Sequence, residues 1–187
     1  ATIKLGEASD TFDKTGTISD FRLQTSDFRP PTTSEIKKAI KSFTGKQKQI
    51  PPMFSAKKIN GQRLYDLARK GITVERQPSE IEIYDIKILD YPDFGVTQIE
   101  DPRFCPDSAL VRNRGSSIFR EGKSGQNRDT WPFLKIEVQC SAGTYIRSLA
   151  NDIGAALGTG AYCQELVRTK IGEYSLTDAT DINNLKF

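Results

Sequence analysis

The stretch CSAGTYIRSLANDIG, residues 140–154, leaves an alternating run, crosses a turn of small residues and sets Tyr145 and Arg147 two apart at the start of a helical pattern. An aromatic face at such a corner can stack on a flat ring, and a guanidinium can pair with a carboxylate. The sequence contains no histidine. That excludes a Ser-His-Asp triad, a Cys-His dyad and any histidine-ligated metal within these residues, and leaves acid–base work to Asp, Glu, Tyr, Lys or Cys. There is no phosphate-binding Walker loop and no G-x-G-x-x-G. Cys105, Cys140 and Cys163 form no C-x-x-C pair, so neither a disulfide framework nor a zinc site is favoured, and a reducing, cytoplasmic setting is expected.

The elements that must hold these groups are readable from period and punctuation. Thr2 to Leu5 reads as a strand, and DTFDKTG, residues 10–16, as a polar turn. Thr32 and Glu35 form a capping box, followed at helical spacing by Ile36, Ile40 and Phe43, with Gly45 where a helix should stop. Leu64, Leu67 and Ala68 suggest a short helix. Residues 80–91 alternate Ile81, Ile83, then Ile86, Ile88, and the phase slips near Tyr84-Asp85, which predicts a bulge. Residues 133–140 alternate without a slip. Leu149, Ile153 and Leu157 predict a helix from about Arg147, closed by Gly158, and AYCQELVR, residues 161–168, reads as a second short helix. Residues 92–130 keep no period and read as an irregular insertion.

The 187 residues suffice for a core, with 36% hydrophobic residues, and no apolar run is long enough to span a membrane. Net charge is +3, a weak hint of a polyanionic partner by itself. Its distribution says more. Residues 46–70 carry Lys46, Lys48, Lys57, Lys58, Arg63, Arg69 and Lys70 against one acid, Asp66, with Phe54 and Tyr65 between them. Basic groups neutralise phosphates and aromatics offer stacking faces. By charge alone the segment reads first as a solvated lysine-rich loop.

Four ordered segments resemble the TruB family of bacterial tRNA pseudouridine synthases. They are LGEASDTFDKTG (5–16), QIPPMFSAKKINGQRLYDLARKGI (49–72), CSAGTYIRSLANDIGAALGTGAY (140–162) and ELVRTKIGEYSL (165–176). The resemblance implies an α+β pseudouridine synthase fold, a largely antiparallel sheet with flanking helices, here a partial catalytic domain over residues 1–187. It implies isomerisation of the T-loop uridine, position 55 of tRNA, with no cofactor and no metal. By the same resemblance Tyr145 is the active-site tyrosine, and a flipped base that has lost its neighbours would stack on it. Arg147 is the arginine that pairs with the nucleophilic aspartate, Leu166 lines the uracil pocket, and Asp13 lies near the cleft. Residues 46–78, with Lys57, Lys58 and Arg63, correspond to a thumb that grips the T-arm. The resemblance thus turns the basic segment from a solvated loop into an RNA contact.

The family carries its nucleophile in a G-x-L-D-P-x-A-T-G motif upstream of the opening strand, and no such motif occurs here. Asp10, Asp13 and Asp152 lack that setting. The chain is therefore expected to be part of a catalytic domain, inactive alone, with the missing half in the full-length protein and the family's downstream RNA-binding domain also outside it. A partial sheet of this kind should expose an edge strand. The alternative is a non-catalytic tRNA-binding module that holds its ligand through the basic segment and Tyr145.

Overall fold

A computed structural model describes residues 1–21, 29–59, 61–91 and 132–180. The stretch read as an irregular insertion, 92–130, lies outside the described residues. The centre is a five-stranded sheet in the order β4 (Gly45–Gln49), β7 (Ser79–Asp90), β8 (Phe133–Cys140), β1 (Thr2–Leu5), β9 (Ala161–Glu165), antiparallel at every pairing. Its edges are β4 and β9.

Alternation decides which face is apolar. Ile3 pairs with Leu134 and Cys163, Ile86 with Val138 and Ile88 with Ile136, so these side chains share one face. Helices α1 (Thr33–Ser42) and α3 (Ile146–Ala156) cover it through Ile36, Ile40, Leu149, Ala150 and Ile153. Each fully buried Ile or Leu stabilises by about 1.5–3 kcal/mol relative to an exposed one. The phase slip read in residues 80–91 is a real irregularity: the β7–β8 register shifts between Ile83 and Asp85, and again between Ile88 and Asp90. The capping box is complete, with Glu35 N–H donating to Thr32 Oγ1 and Thr32 N–H to Glu35 Oε2.

One predicted element is overturned. Residues 161–168 do not form a helix; Ala161–Glu165 is the edge strand β9, paired to β1 with Leu5 opposite Ala161 and Ile3 opposite Cys163. A helix there would leave the outer backbone groups of β1 without their ladder. Two glycines with positive φ, Gly158 (68°) and Gly160 (63°), turn the chain sharply out of α3 and back along the sheet.

Among the described residues, three two-stranded ribbons leave this core. The first is β2 (Glu7–Ser9) with β3 (Ile18–Asp20), whose loop is the polar turn 10–17. The second is β5 (Lys58–Ile59) with β6 (Gln62–Arg63), followed directly by α2 (Leu64–Arg69). The third is β10 (Lys170–Ile171) with β11 (Tyr174–Ser175). The basic stretch that begins at Lys46 is thus divided: Lys46 and Lys48 lie on β4 in the main sheet, and the projecting ribbon begins at Lys58.

Candidate active site

The start of α3 is where distant parts of the chain meet. Tyr145 is its N-cap, extended at φ −97° and ψ 103°, and gives no side-chain cap. The cap comes from elsewhere. Gln49, at the end of β4, accepts from Tyr145 N–H through Oε1 at 2.8 Å and donates to Tyr145 O through Nε2 at 3.0 Å. Arg147 follows in the first turn. Its Nη1 donates to Asp13 Oδ2 at 2.5 Å and its Nη2 to the Phe54 carbonyl at 2.9 Å.

Asp13 is presented by the β2–β3 loop, which folds back against β9. Cys163 N–H donates to the Phe12 carbonyl at 2.9 Å, and Asp13 forms an isolated parallel bridge to Cys163. Phe12 holds φ at 63°, a conformation uncommon for a residue with a side chain, and this places Asp13 toward Arg147. Asp10 fixes the other side of the loop by accepting from Thr17 N–H at 2.8 Å. The Asp13 carboxylate accepts from Thr15 Oγ1 at 2.5 Å, Thr15 N–H at 3.0 Å and Thr11 Oγ1 at 2.9 Å. Partial burial pushes its pKa up, but the bonds from Thr15, Thr11 and Arg147 outweigh this and lower it from 3.8 to about 2. Asp13 is therefore ionised at neutral pH, and its charge holds the guanidinium in place.

The residues singled out in the sequence fall into two groups. Arg147 and Asp13 meet in an ion pair, and Tyr145 stands two residues before Arg147 as the N-cap of the same helix. Lys58 and Arg63 face each other across the β5–β6 ribbon, both exposed. Arg63 donates to Tyr65 Oη at 2.7 Å, and the Arg63 and Arg69 guanidinium carbons lie 5.7 and 5.4 Å from the Tyr65 ring centre. Lys57 instead turns inward and donates from Nζ to Ser79 Oγ at 2.6 Å. Leu166 lies one residue past β9 and is 51% exposed. Sequence reasoning missed Gln49, the Phe54 carbonyl and the two threonines that hold Asp13. Among the described residues no group of histidine, cysteine or carboxylate side chains is arranged to hold a metal.

Comparison with known proteins puts a family beside this geometry. Residues 1–100 match the family model described as TruB family pseudouridylate synthase (N terminal domain), and residues 147–187 match tRNA pseudouridylate synthase B C-terminal domain. The boundary at Arg147 does not divide the core, since Leu149, Ile153 and Cys163 pack in one cluster with Ile3 and Leu5. A Clostridium tetani protein named tRNA pseudouridine synthase B is 36% identical over 99% of this chain and 50% of its own length. Proteins of the same name from Dehalococcoides mccartyi and Deinococcus radiodurans are 38% and 35% identical, over 48% and 57% of their lengths. A chain of a solved Cbf5–Nop10–Gar1 complex is similar at a TM-score of 0.35 and 20% identity, over 86% of this chain and 26% of that one. The chain spans about half the length of the curated relatives it matches. More than half of its residues fall within the first model, and the corner at Tyr145 and Arg147 lies where the second begins: the chain belongs to the TruB family of pseudouridylate synthases.

Proposed function

We propose that the chain is part of a tRNA pseudouridine synthase that isomerises the T-loop uridine at position 55. Family membership carries this reading, and the ionised Asp13–Arg147 pair beside Tyr145 supports it. The target base leaves its stack and meets the ring of Tyr145, a contact worth about 1–3 kcal/mol per base. Arg147 already holds one carboxylate, and its fork orients a second, the nucleophile, which belongs to the family's G-x-L-D-P-x-A-T-G motif outside these 187 residues. Leu166 closes the apolar side of the uracil pocket. No metal or organic cofactor takes part. The β5–β6 ribbon and α2 grip the T-arm through Lys58 and Arg63, whose charges sit opposite each other and disfavour the ribbon until an anion joins them. The protein works in the cytoplasm, a setting suggested by cysteines that form no C-x-x-C pair in the sequence.

Tritium release from tRNA labelled at its T-loop uridine tests the proposal. The full-length protein containing this chain should release tritium. The chain alone should bind tRNA in a salt-dependent way and release none. Release by the chain alone would place the nucleophile within these residues, and no release by the full-length protein would remove the proposed activity.

A further inference from the structure

The first turn of α3 is poorly equipped to hold its own shape. Its N-cap side chain makes no capping bond, and its first turn carries no acidic residue. The charge it does carry, on Arg147, opposes the positive end of the helix dipole. Backbone N–H groups at a helix start need outside partners. For Tyr145 a single side chain supplies them. Gln49 is 5% exposed and engages both main-chain polar groups of Tyr145 from 96 positions away.

The segment after Gln49 continues the support. Ser148 Oγ donates to the Ile50 carbonyl at 3.4 Å, and Arg147 Nη2 to the Phe54 carbonyl at 2.9 Å. Pro51 and Pro52 between them are fully buried. Their fixed φ angles make this a stiff rail. Arg76 Nη1 secures it by donating to the Pro51 carbonyl at 3.0 Å. Gln49 itself is fixed as the last residue of β4, opposite Ser79 on β7.

We infer that Gln49 is a positioning residue for the isomerisation: its amide brackets the Tyr145 backbone and so sets where the aromatic face stands relative to Arg147. The inference rests on the proposed function, because a face needs accurate placement only if a base must meet it. Gln49 is buried and acts through the Tyr145 backbone, so its loss should leave tRNA binding intact and impair the chemical step. Misplacing a reacting partner by about 1 Å can cost on the order of 100-fold in rate.

The test uses the full-length protein. Gln49→Met keeps the volume and removes both bonds. Gln49→Glu keeps an acceptor for Tyr145 N–H but sets a second acceptor against the Tyr145 carbonyl. Folding is checked by thermal melting, and kcat and KM for tRNA are measured separately. The expected result is a fall in kcat of roughly 10- to 100-fold in both variants with KM little changed. Gln49→Met should add almost nothing to a Tyr145→Ala background, because contacting groups are not additive. If Gln49→Met fails to fold, Gln49→Glu decides alone. Undiminished kcat in a folded variant, a loss confined to KM, or losses that add to those of Tyr145→Ala would overturn the inference. Wild-type protein that forms no pseudouridine would overturn the functional proposal together with it, an outcome distinct from an active wild type with an active variant.

Discussion

At the scale of the residue, Arg147 is the point where three separated stretches agree. It bonds to Asp13, 134 positions before it, and to the carbonyl of Phe54, 93 before it. The charge pair predicts an acid response. The Asp13 carboxyl titrates at about 2 in the folded protein against 3.8 ordinarily, so its contribution to stability is present above pH 3.8 and is lost as pH falls toward 2. Asp13→Asn should therefore flatten the loss of stability across that window, measured by acid unfolding of the full-length protein beside wild type. An unchanged acid profile would mean the pair adds nothing to folding. Tyr145 makes a different prediction. Tyr145→Ala should slow modification far more than it weakens tRNA binding, measured by single-turnover rate and by filter binding; equal losses would remove the stacking role. Tyr145, Arg147 and Asp13 stood out in the sequence because each sits in a family-like motif. The bond between Arg147 and Asp13 was not, since the resemblance assigns that arginine to the nucleophile. Gln49 was passed over for a simpler reason: although it opens the second family-like segment, a lone amide does not announce its partner, which lies 96 positions on.

At the scale of the element, the sharpest constraint is where α3 crosses β9. A Cβ built on Gly154 would lie 2.3 Å from the backbone nitrogen of Ala161 and 2.5 Å from the carbonyl carbon of Gly160. Backbone atoms cannot step aside as a flexible side chain can. Gly154→Ala should lower stability by about 1–3 kcal/mol, although alanine is the better helix former, and a denaturant titration would show it. Because α3 carries Tyr145 and Arg147, the same change should displace the site. An unchanged midpoint would mean that α3 can lift from the sheet freely. At the other helix, Thr32→Ala removes the acceptor for Glu35 N–H and should cost about 1 kcal/mol by the same measurement. Elements with strong local signals were legible. The capping box marked α1, and the slipped alternation near Tyr84 marked the shift in β7. Residues 161–168 misled because the signal was not local. Ala161 and Cys163 face the core and Tyr162 the opposite side, a strand period imposed by β1, whereas Leu166 and Val167, just beyond, imitate a helical repeat and are both exposed. Tertiary pairing overrode propensity there.

At the scale of the whole molecule, the net charge of +3 says little until the structure divides it. Lys46 and Lys48 belong to the main sheet, Lys57 is turned toward Ser79, and Lys58, Arg63, Arg69 and Lys70 remain exposed on the ribbon and α2. The basic run in the sequence is thus three populations with different work. This division predicts a measurable contrast. If the ribbon grips phosphate, Lys58→Ala and Arg63→Ala should each weaken tRNA binding and reduce the slope of log affinity against log salt by roughly one unit per lost phosphate contact. Lys57→Ala should leave the slope nearly unchanged, because that ammonium is already committed at 2.6 Å to a neutral, half-buried hydroxyl at the start of β7, and its removal should appear instead as lost stability of the ribbon against β7. Salt titrations of the three variants separate the cases. A Lys57 slope as large as that of Lys58 would mean the inward bond opens when RNA arrives, and three unchanged slopes would mean the ribbon does not touch phosphate at all.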